Sequence, residues 1–366
     1  MLDLYKISAQ LEDALGEMGC DREALGRDME ELNSAFRRII VEPGILEEFL
    51  RQRWDDRNLL LAKPHGEPLD TVVQLPVRPA SVEIVAVDGS QSLSPFWGMD
   101  WFLVNLGIVR LRLGDDSSYD IKSLPSLMNV ERLGREDIPR PEVEMGRRRA
   151  IMEIAELAAQ AESSPGDRYT FTMADGGLTY WFYMQGMQDP GARQTLSEMV
   201  SVLPRFRQKG VAVAGYLSGS ANRELVNTLA LATSGKPPLL PDRAFWMSRL
   251  KPGERGPILT SNSDVLGKYV PEDRPVFFPL CVGEEVARVE IPQWCIPQAD
   301  TIASVLLDQA GKGGGYPQIL TEAHQAAVVT AREAEAFWSY LGGLAEKQGM
   351  RLGLRPKDTS KRLVGI

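Results

Sequence analysis

Cysteine and histidine are scarce in this chain: of 366 residues, three are cysteine (Cys20, Cys281, Cys295) and two are histidine (His65, His324). The cysteines are far apart and odd in number, so they form no metal-ligand spacing and no disulfide framework. A reducing, cytoplasmic setting is the expectation. No apolar run reaches about 18 residues, so no membrane span is expected. The opening residues, Met1-Leu2-Asp3-Leu4-Tyr5-Lys6, lack the basic-then-apolar layout of a signal peptide. Positive charge is also in deficit. The net charge of −9 leaves no general basic coat for nucleic acid, although a groove can still carry a local positive field. Three basic clusters could meet phosphates: Arg147-Arg148-Arg149; Arg205 and Arg207 with Lys209; and a tail of Arg351, Arg355, Lys357, Lys361 and Arg362 against a single Asp358. Taken singly, each reads equally well as a solvated helix face or a loose tail.

What is present is ordinary globular material, 43% hydrophobic and 25% charged, long enough for one large or two modest domains. Residues 1–62 read as an N-terminal helical arm for dimer or partner docking. Leu4, Ile7, Leu11, Leu15 and Met18 recur at helical steps, and Leu25, Met29, Leu32, Phe36 and Ile39 make a second stripe. Pro43-Gly44 is expected to break the helix before it resumes over 45–61. Residues 63–80, rich in proline, read as a connection. Beyond it, apolar runs at 84–87, 102–111 and 119–121 follow one another without helices between, which suggests an antiparallel meander. A helix at 141–162, a strand at 169–174, a helix at 185–203 and a strand at 211–216 come next. A helix at 220–233, a hairpin at 274–280 and 286–291, and one long helix at 317–349 complete the pattern. Three strands, then helix, strand, helix, strand is the order of a ribonuclease-H-like fold: α/β, with a mixed central sheet flanked by helices. The fold is expected over 81–345, with a basic tail at 346–366.

Two strands end on the same punctuation. One reads Ile84-Val85-Ala86-Val87-Asp88-Gly89-Ser90, the other Tyr169-Thr170-Phe171-Thr172-Met173-Ala174-Asp175-Gly176-Gly177. An Asp-Gly pair is a common turn, and one copy would mean no more than that. Two copies on neighbouring strands would converge two carboxylates on one point, the usual way to hold a hard divalent cation. The glycines would let the backbone turn and leave room for a phosphate. The helix at 141–162 is apolar on most sides, yet carries Glu153 and Glu156 on a narrow polar stripe. Glu153 is the choice for a third acid, with Glu156 left open. Later, Gly313-Gly314-Gly315-Tyr316-Pro317 could approach a polyanion closely, and Ala323-His324 lies about two turns into the next helix. A lone helical histidine is usually structural; beside an acidic site it can ligate a metal or shuttle a proton. His65 reads as exposed. Trp97 and Trp101 read as packing residues, with base stacking the alternative.

In order and context these motifs resemble the NurA nuclease family over roughly 80–340. Val87-Asp88-Gly89-Ser90 matches well. Ala174-Asp175-Gly176-Gly177-Leu178 is similar to the family's Asp-Gly-Ser-Leu with Gly177 in place of serine. Gly215-Tyr216-Leu217-Ser218 resembles the next strand end without the lysine expected near Ser218. Tyr316-Pro317 and Ala323-His324 resemble the C-terminal elements. The resemblance implies a homodimeric, Mn²⁺-dependent nuclease (Mg²⁺ as the alternative ion). Such an enzyme cuts single-stranded DNA and resects ends 5′ to 3′ in double-strand break repair, with the hexameric translocase HerA. It further implies Asp88, Glu153, Asp175 and His324 around two ions about 3.5–4 Å apart. Tyr316 would place a phosphate or the attacking water. Oxygen-rich ligands with one histidine suit Mn²⁺ or Mg²⁺ rather than zinc. Two other classes stand beside this reading. An actin-like phosphotransferase is disfavoured because Ser90 directly follows Gly89. A non-catalytic scaffold would keep the fold without the chemistry.

Overall fold

The helical and extended periods of the sequence resolve, in a computed structural model, over residues 4–56, 58–96, 99–129, 141–180 and 189–354, with no side-chain account for 4–6, 8–23 and 141. In chain order the elements begin with α1 (Leu4–Val41), α2 (Pro43–Arg53), β1 (Ala62–Pro64), β2 (Val73–Gln74), β3 (Val82–Leu93), β4 (Trp101–Leu113) and β5 (Ser118–Asn129). They continue with α3 (Pro141–Glu162), β6 (Tyr169–Asp175), α4 (Pro190–Lys209), β7 (Ala212–Leu217), α5 (Glu224–Ala232), α6 (Asp242–Met247), β8 (Glu254–Arg255) and β9 (Leu259–Ser261). The last are β10 (Pro275–Val282), β11 (Glu285–Pro292), α7 (Ala299–Lys312), α8 (Gln318–Ala327) and α9 (Ala331–Lys347). Contacts divide the chain into two units interleaved in sequence. One comprises Met1–Leu75, Leu217–Gly267 and Pro275–Glu290; the other comprises Pro76–Tyr216, Lys268–Arg274 and Ile291–Ile366.

In the first unit, the stripe read from the sequence is a core face. Leu32, Ala35 and Ile39 of α1 share one buried cluster with Leu46, Leu225, Leu229, Phe245 and Phe277. Leu4, Leu11, Leu15, Met18 and Cys20 have side chains outside the described residues. α1 is a single helix over Leu4–Val41, so both apolar stripes read from the sequence belong to one element. The expected break is there: α1 ends at Val41, Glu42 is non-helical, and Pro43 opens α2, where a proline in the first turn loses no hydrogen bond. α2 then ends at Arg53, short of the expected 61. The proline-rich connection contributes β1 and β2, paired with β9 and β8. β10 and β11 neighbour each other as the expected hairpin, with Gly283 at φ +80 in its turn. His65 is half-buried rather than exposed, and burial lowers its proton affinity. A charged network is buried here: Arg288 pairs with Glu224 and Glu290, and Asp242 accepts the Leu225 and Val226 N–H groups at the start of α5.

The second unit carries the ribonuclease-H-like sheet, in the order β5-β4-β3-β6-β7. β3, β4 and β5 form the antiparallel meander, while β6 and β7 add parallel to β3. The meander strands run longer than expected, and β3 passes straight through Asp88-Gly89 to Leu93. There is no turn at the first Asp-Gly pair. The second fits the expectation, with Gly176 at φ +99 just after β6. Side chains alternate across a strand. A Cβ on Gly89 would meet Glu153 and Arg149 of α3, and one on Gly107 would strike the backbone of α8 at Ala323, Ala326 and Ala327. Gly107 pairs with Asp88, so the two share a face. α3 therefore covers one face of the sheet and α8 the other, and each glycine removes the Cβ that would hold its helix away.

The long final helix of the sequence reading is two helices, α8 and α9. Thr330 starts the second with a capping box, its side chain accepting from Glu333 N–H while Glu333 accepts from the Thr330 N–H. The glycines at 313–315 are a helix stop rather than a ready phosphate loop. Gly313 N–H closes back on Gln309, Gly315 N–H on Ala310, and Gly314 and Gly315 take positive φ. α6 and α7 were not expected; α6 is too short to show a period, whereas α7 carries Ile302, Val305, Leu306 and Ala310 at helical spacing.

Candidate active site

The parallel ladder between β3 and β6 ends at Val87↔Ala174, which leaves Asp88 and Asp175 side by side. Nearly all of Asp88 is buried, its side chain 16% exposed, while Asp175 faces solvent. Each oxygen pair has one partner from the far end of the chain. His324 Nδ1 lies 2.7 Å from Asp88 Oδ2, and Tyr316 donates its hydroxyl to Asp175 Oδ1 at 2.7 Å. Tyr216, paired with Asp175 across β6 and β7, packs edge-on against the Tyr316 ring at 5.5 Å. Partial burial and the Asp88 charge push the Asp175 carboxyl above its usual range, while Tyr316 and His324 pull it down. Burial, and then the hydrogen bond to Asp175, drive the Tyr316 hydroxyl far above its ordinary value. It therefore works as a fixed donor.

Glu153 reaches the same place from α3, on the opposite face. Its Oε1 is buried without a hydrogen-bond partner, and lies 3.4 Å from Arg149 Nε. Burial pushes its carboxyl up to about 8; Arg149 lowers it, and the charges of Asp88 and Asp175 raise it. Glu156 does not join: it accepts from Gln160 one turn along α3. A cavity of about 480 Å³ opens beside Asp88, Asp175 and Glu153, with Arg147, Arg149 and Tyr180 in its wall.

The donor set suits a hard divalent cation: three carboxylates and one imidazole, with crowded like charge and an unsatisfied buried carboxylate oxygen. The residues fit such an ion. Among the described residues, however, no three His, Cys, Asp or Glu side chains form a finished metal-binding group. Glu153 approaches from the far face, and His324 and Tyr316 already occupy one oxygen of each aspartate.

The basic clusters scatter. Arg147 pairs with Asp189 and Arg148 with Glu198, and only Arg149 turns to the acids, donating also to Gly89 O at 2.7 Å. Arg205 pairs with Glu162 and Arg207 with Asp273. Ser218 donates to Glu285. Trp101 is half-buried in β4. Trp97 and the tail residues Arg355, Lys357, Asp358, Lys361 and Arg362 lie outside the described residues. Sequence reasoning had Arg149 only as one of a basic cluster, and missed Asn105 and Gly107. The signal for the last two was a polar residue and a glycine inside an otherwise apolar strand.

A family model described as the NurA domain matches residues 82–329. Among solved structures, the NurA nuclease from Sulfolobus solfataricus is similar at 13% identity and TM-score 0.46, over 85% of this chain and 95% of that one. A structure of NurA with manganese is similar at 12% identity and TM-score 0.41, over 86% and 98%. One of NurA bound to dAMP and manganese is similar at 11% identity and TM-score 0.35, over 92% and 96%. No curated protein matches the sequence.

Proposed function

The chain belongs to the NurA family, and from that premise we propose that it is a divalent-metal-dependent nuclease acting on DNA. The observation that carries the reading is the convergence of Asp88 and Asp175 on adjacent strands, with His324 and Tyr316 hydrogen-bonded to them and the Glu153 Oε1 atom left without a hydrogen bond beside them. Asp88, Asp175, Glu153 and His324 would hold the metal. Bound there, a divalent ion would supply an activated water and neutralise charge at the scissile phosphate. The chain's own residues do the rest. His324, largely exposed at the rim, is placed to move a proton at the edge of Asp88. The Tyr316 hydroxyl gives its one proton to Asp175 and can accept from the attacking water, or would turn that proton to a phosphoryl oxygen once Asp175 holds the metal. Arg149 meets negative charge at the cavity wall.

Finer points follow the family resemblance: Mn²⁺ in preference to Mg²⁺, two ions, single-stranded endonuclease and 5′ to 3′ exonuclease activity, and end resection with a HerA-type translocase. A homodimer, a docking role for the N-terminal helices and a cytoplasmic location belong to the same reading. A net charge of −9 suits substrate delivered by a translocase, since the nuclease itself need not capture DNA. The absence of a finished metal group among the described residues favours a second reading, a scaffold without chemistry.

The deciding experiment uses 5′- and 3′-labelled single- and double-stranded DNA with Mn²⁺, Mg²⁺ or EDTA, comparing the wild type with Asp88→Asn. Metal-dependent cutting that vanishes in the variant supports the nuclease. No cutting with any metal, even with a HerA-type partner present, leaves the scaffold.

A further inference from the structure

The C-terminal end of α8 is held by a polar clamp that the proposed chemistry does not use. The last carbonyls of any helix lack intrahelical partners. Here Asn105 Nδ2 donates to Ala326 O at 3.1 Å and to Ala327 O at 2.9 Å. Ser90 Oγ donates to Ala327 O at 2.5 Å and accepts the Val329 N–H at 3.0 Å. Ser123 Oγ donates to Asn105 Oδ1 at 2.7 Å, which fixes the orientation of the amide. Ser90 and Asn105 are direct partners across β3 and β4, two rungs from Asp88↔Gly107. All four positions therefore face α8. His324 stands one turn before the clamped residues.

We propose that Ser90 and Asn105 are positioning residues: by clamping the end of α8 to the sheet, they set the His324 imidazole against Asp88. As part of an active site, this rests on the nuclease reading above; as geometry it can be tested alone. The physical argument is one of register. Gly107 lets α8 lie directly on the strand, but an apolar contact alone does not stop a helix from sliding or rolling. A shift of one residue moves a side chain by about 1.5 Å along the axis and about 100° around it, enough to carry His324 off Asp88. An almost fully buried asparagine, 7% exposed, is costly unless its hydrogen bonds are made in one arrangement. The clamp offers one arrangement.

Having only two histidines makes the test direct. The probe is ¹⁵N-histidine NMR of the full metal-free chain at one fixed pH, on Ser90→Ala, Asn105→Ala and the conservative Ser90→Thr, with His65→Gln to assign the two signals. The expected result is a shifted and broadened His324 resonance in both alanine variants, an unmoved His65, and a wild-type His324 signal in Ser90→Thr. In the Mn²⁺ cleavage assay, kcat should fall about tenfold to a hundredfold with KM little changed, the mark of misplacement rather than lost binding. An unchanged His324 signal in folded Ser90→Ala and Asn105→Ala would overturn the proposal, as would equal shifts at His65 and His324. If Asn105→Ala does not fold, Ser90→Ala decides by itself. If the wild type cuts no DNA, the nuclease reading fails while the NMR result still decides the clamp.

Discussion

His324 Nδ1 lies 2.7 Å from Asp88 Oδ2, across 236 residues of chain. The contact exists because Gly107, facing Asp88 in the ladder, presents no Cβ to α8. The helix can then rest on the strand and bring its histidine to the acid.

Gly107→Ala should therefore act at a distance from the chemistry. Its new methyl would strike the α8 backbone, so the helix must move. Overpacking of this kind costs about 1–3 kcal/mol, visible as a lower unfolding midpoint. DNA cleavage should drop more than the stability loss explains, because His324 moves with the helix. Wild-type cleavage by a folded Gly107→Ala protein would refute the link.

Tyr316→Phe removes the donor to Asp175 and leaves the ring packed on Tyr216. Cleavage should fall by about 10²-fold, in line with the loss of one positioned donor, with little change in thermal stability. Because the hydroxyl holds the Asp175 carboxyl down, the acid limb of the pH–rate profile should move to higher pH. A limb that does not move would separate Tyr316 from Asp175 function.

Glu153 illustrates the cost of a site kept ready for positive charge. Its folded-state pKa of about 8 lies above the ordinary 4.5, so the folded metal-free protein prefers the protonated form. The sign is that of a raised carboxyl: stability is full below about 4.5 and is lost as pH rises toward 8. Glu153→Gln removes the titration. With a quarter of the side chain exposed, the gain at pH 9 should be on the order of 1–3 kcal/mol, read by chemical denaturation without metal. The same variant should lose metal-dependent cleavage.

Asp242 makes the parallel case away from the site. Burial, and then the Glu224 charge, raise its carboxyl to about 7. Stability should decline between about pH 4 and pH 7 through this group as well. Asp242→Asn keeps one acceptor oxygen for the Leu225 and Val226 N–H groups, which in the wild type use one carboxylate oxygen each. It should flatten the pH dependence of unfolding, and a curve as steep as the wild type's would assign that slope elsewhere.

Much of this architecture was legible before any coordinates. The continuous apolar runs gave the strands, and their order gave the sheet, because strand period and chain order are local properties. The boundaries of α3 at Pro141 and Glu162 were readable for the same reason, with proline at the start and two acids in the first turn. The run at 317–349 misled because β-branched Val328-Val329-Thr330 still fits an apolar period and masked the Thr330-Ala331-Arg332-Glu333 helix-start signature; Ser90, from a strand far away in sequence, takes the Val329 N–H at the break.

The sequence by itself therefore determined the strands of the ribonuclease-H-like sheet, the helix at 141–162, the two Asp-Gly motifs and the small set of side chains able to do chemistry. The tertiary structure decided which of them meet. It put Glu153 rather than Glu156 beside the acids, left Arg149 alone of three consecutive arginines turned toward them, and gave two glycines helix-docking roles. It also turned a glycine-rich stretch into a helix stop. The reason is physical: period and propensity act over a few residues, whereas register, close approach and charge pairing depend on groups that only folding brings within a few ångströms.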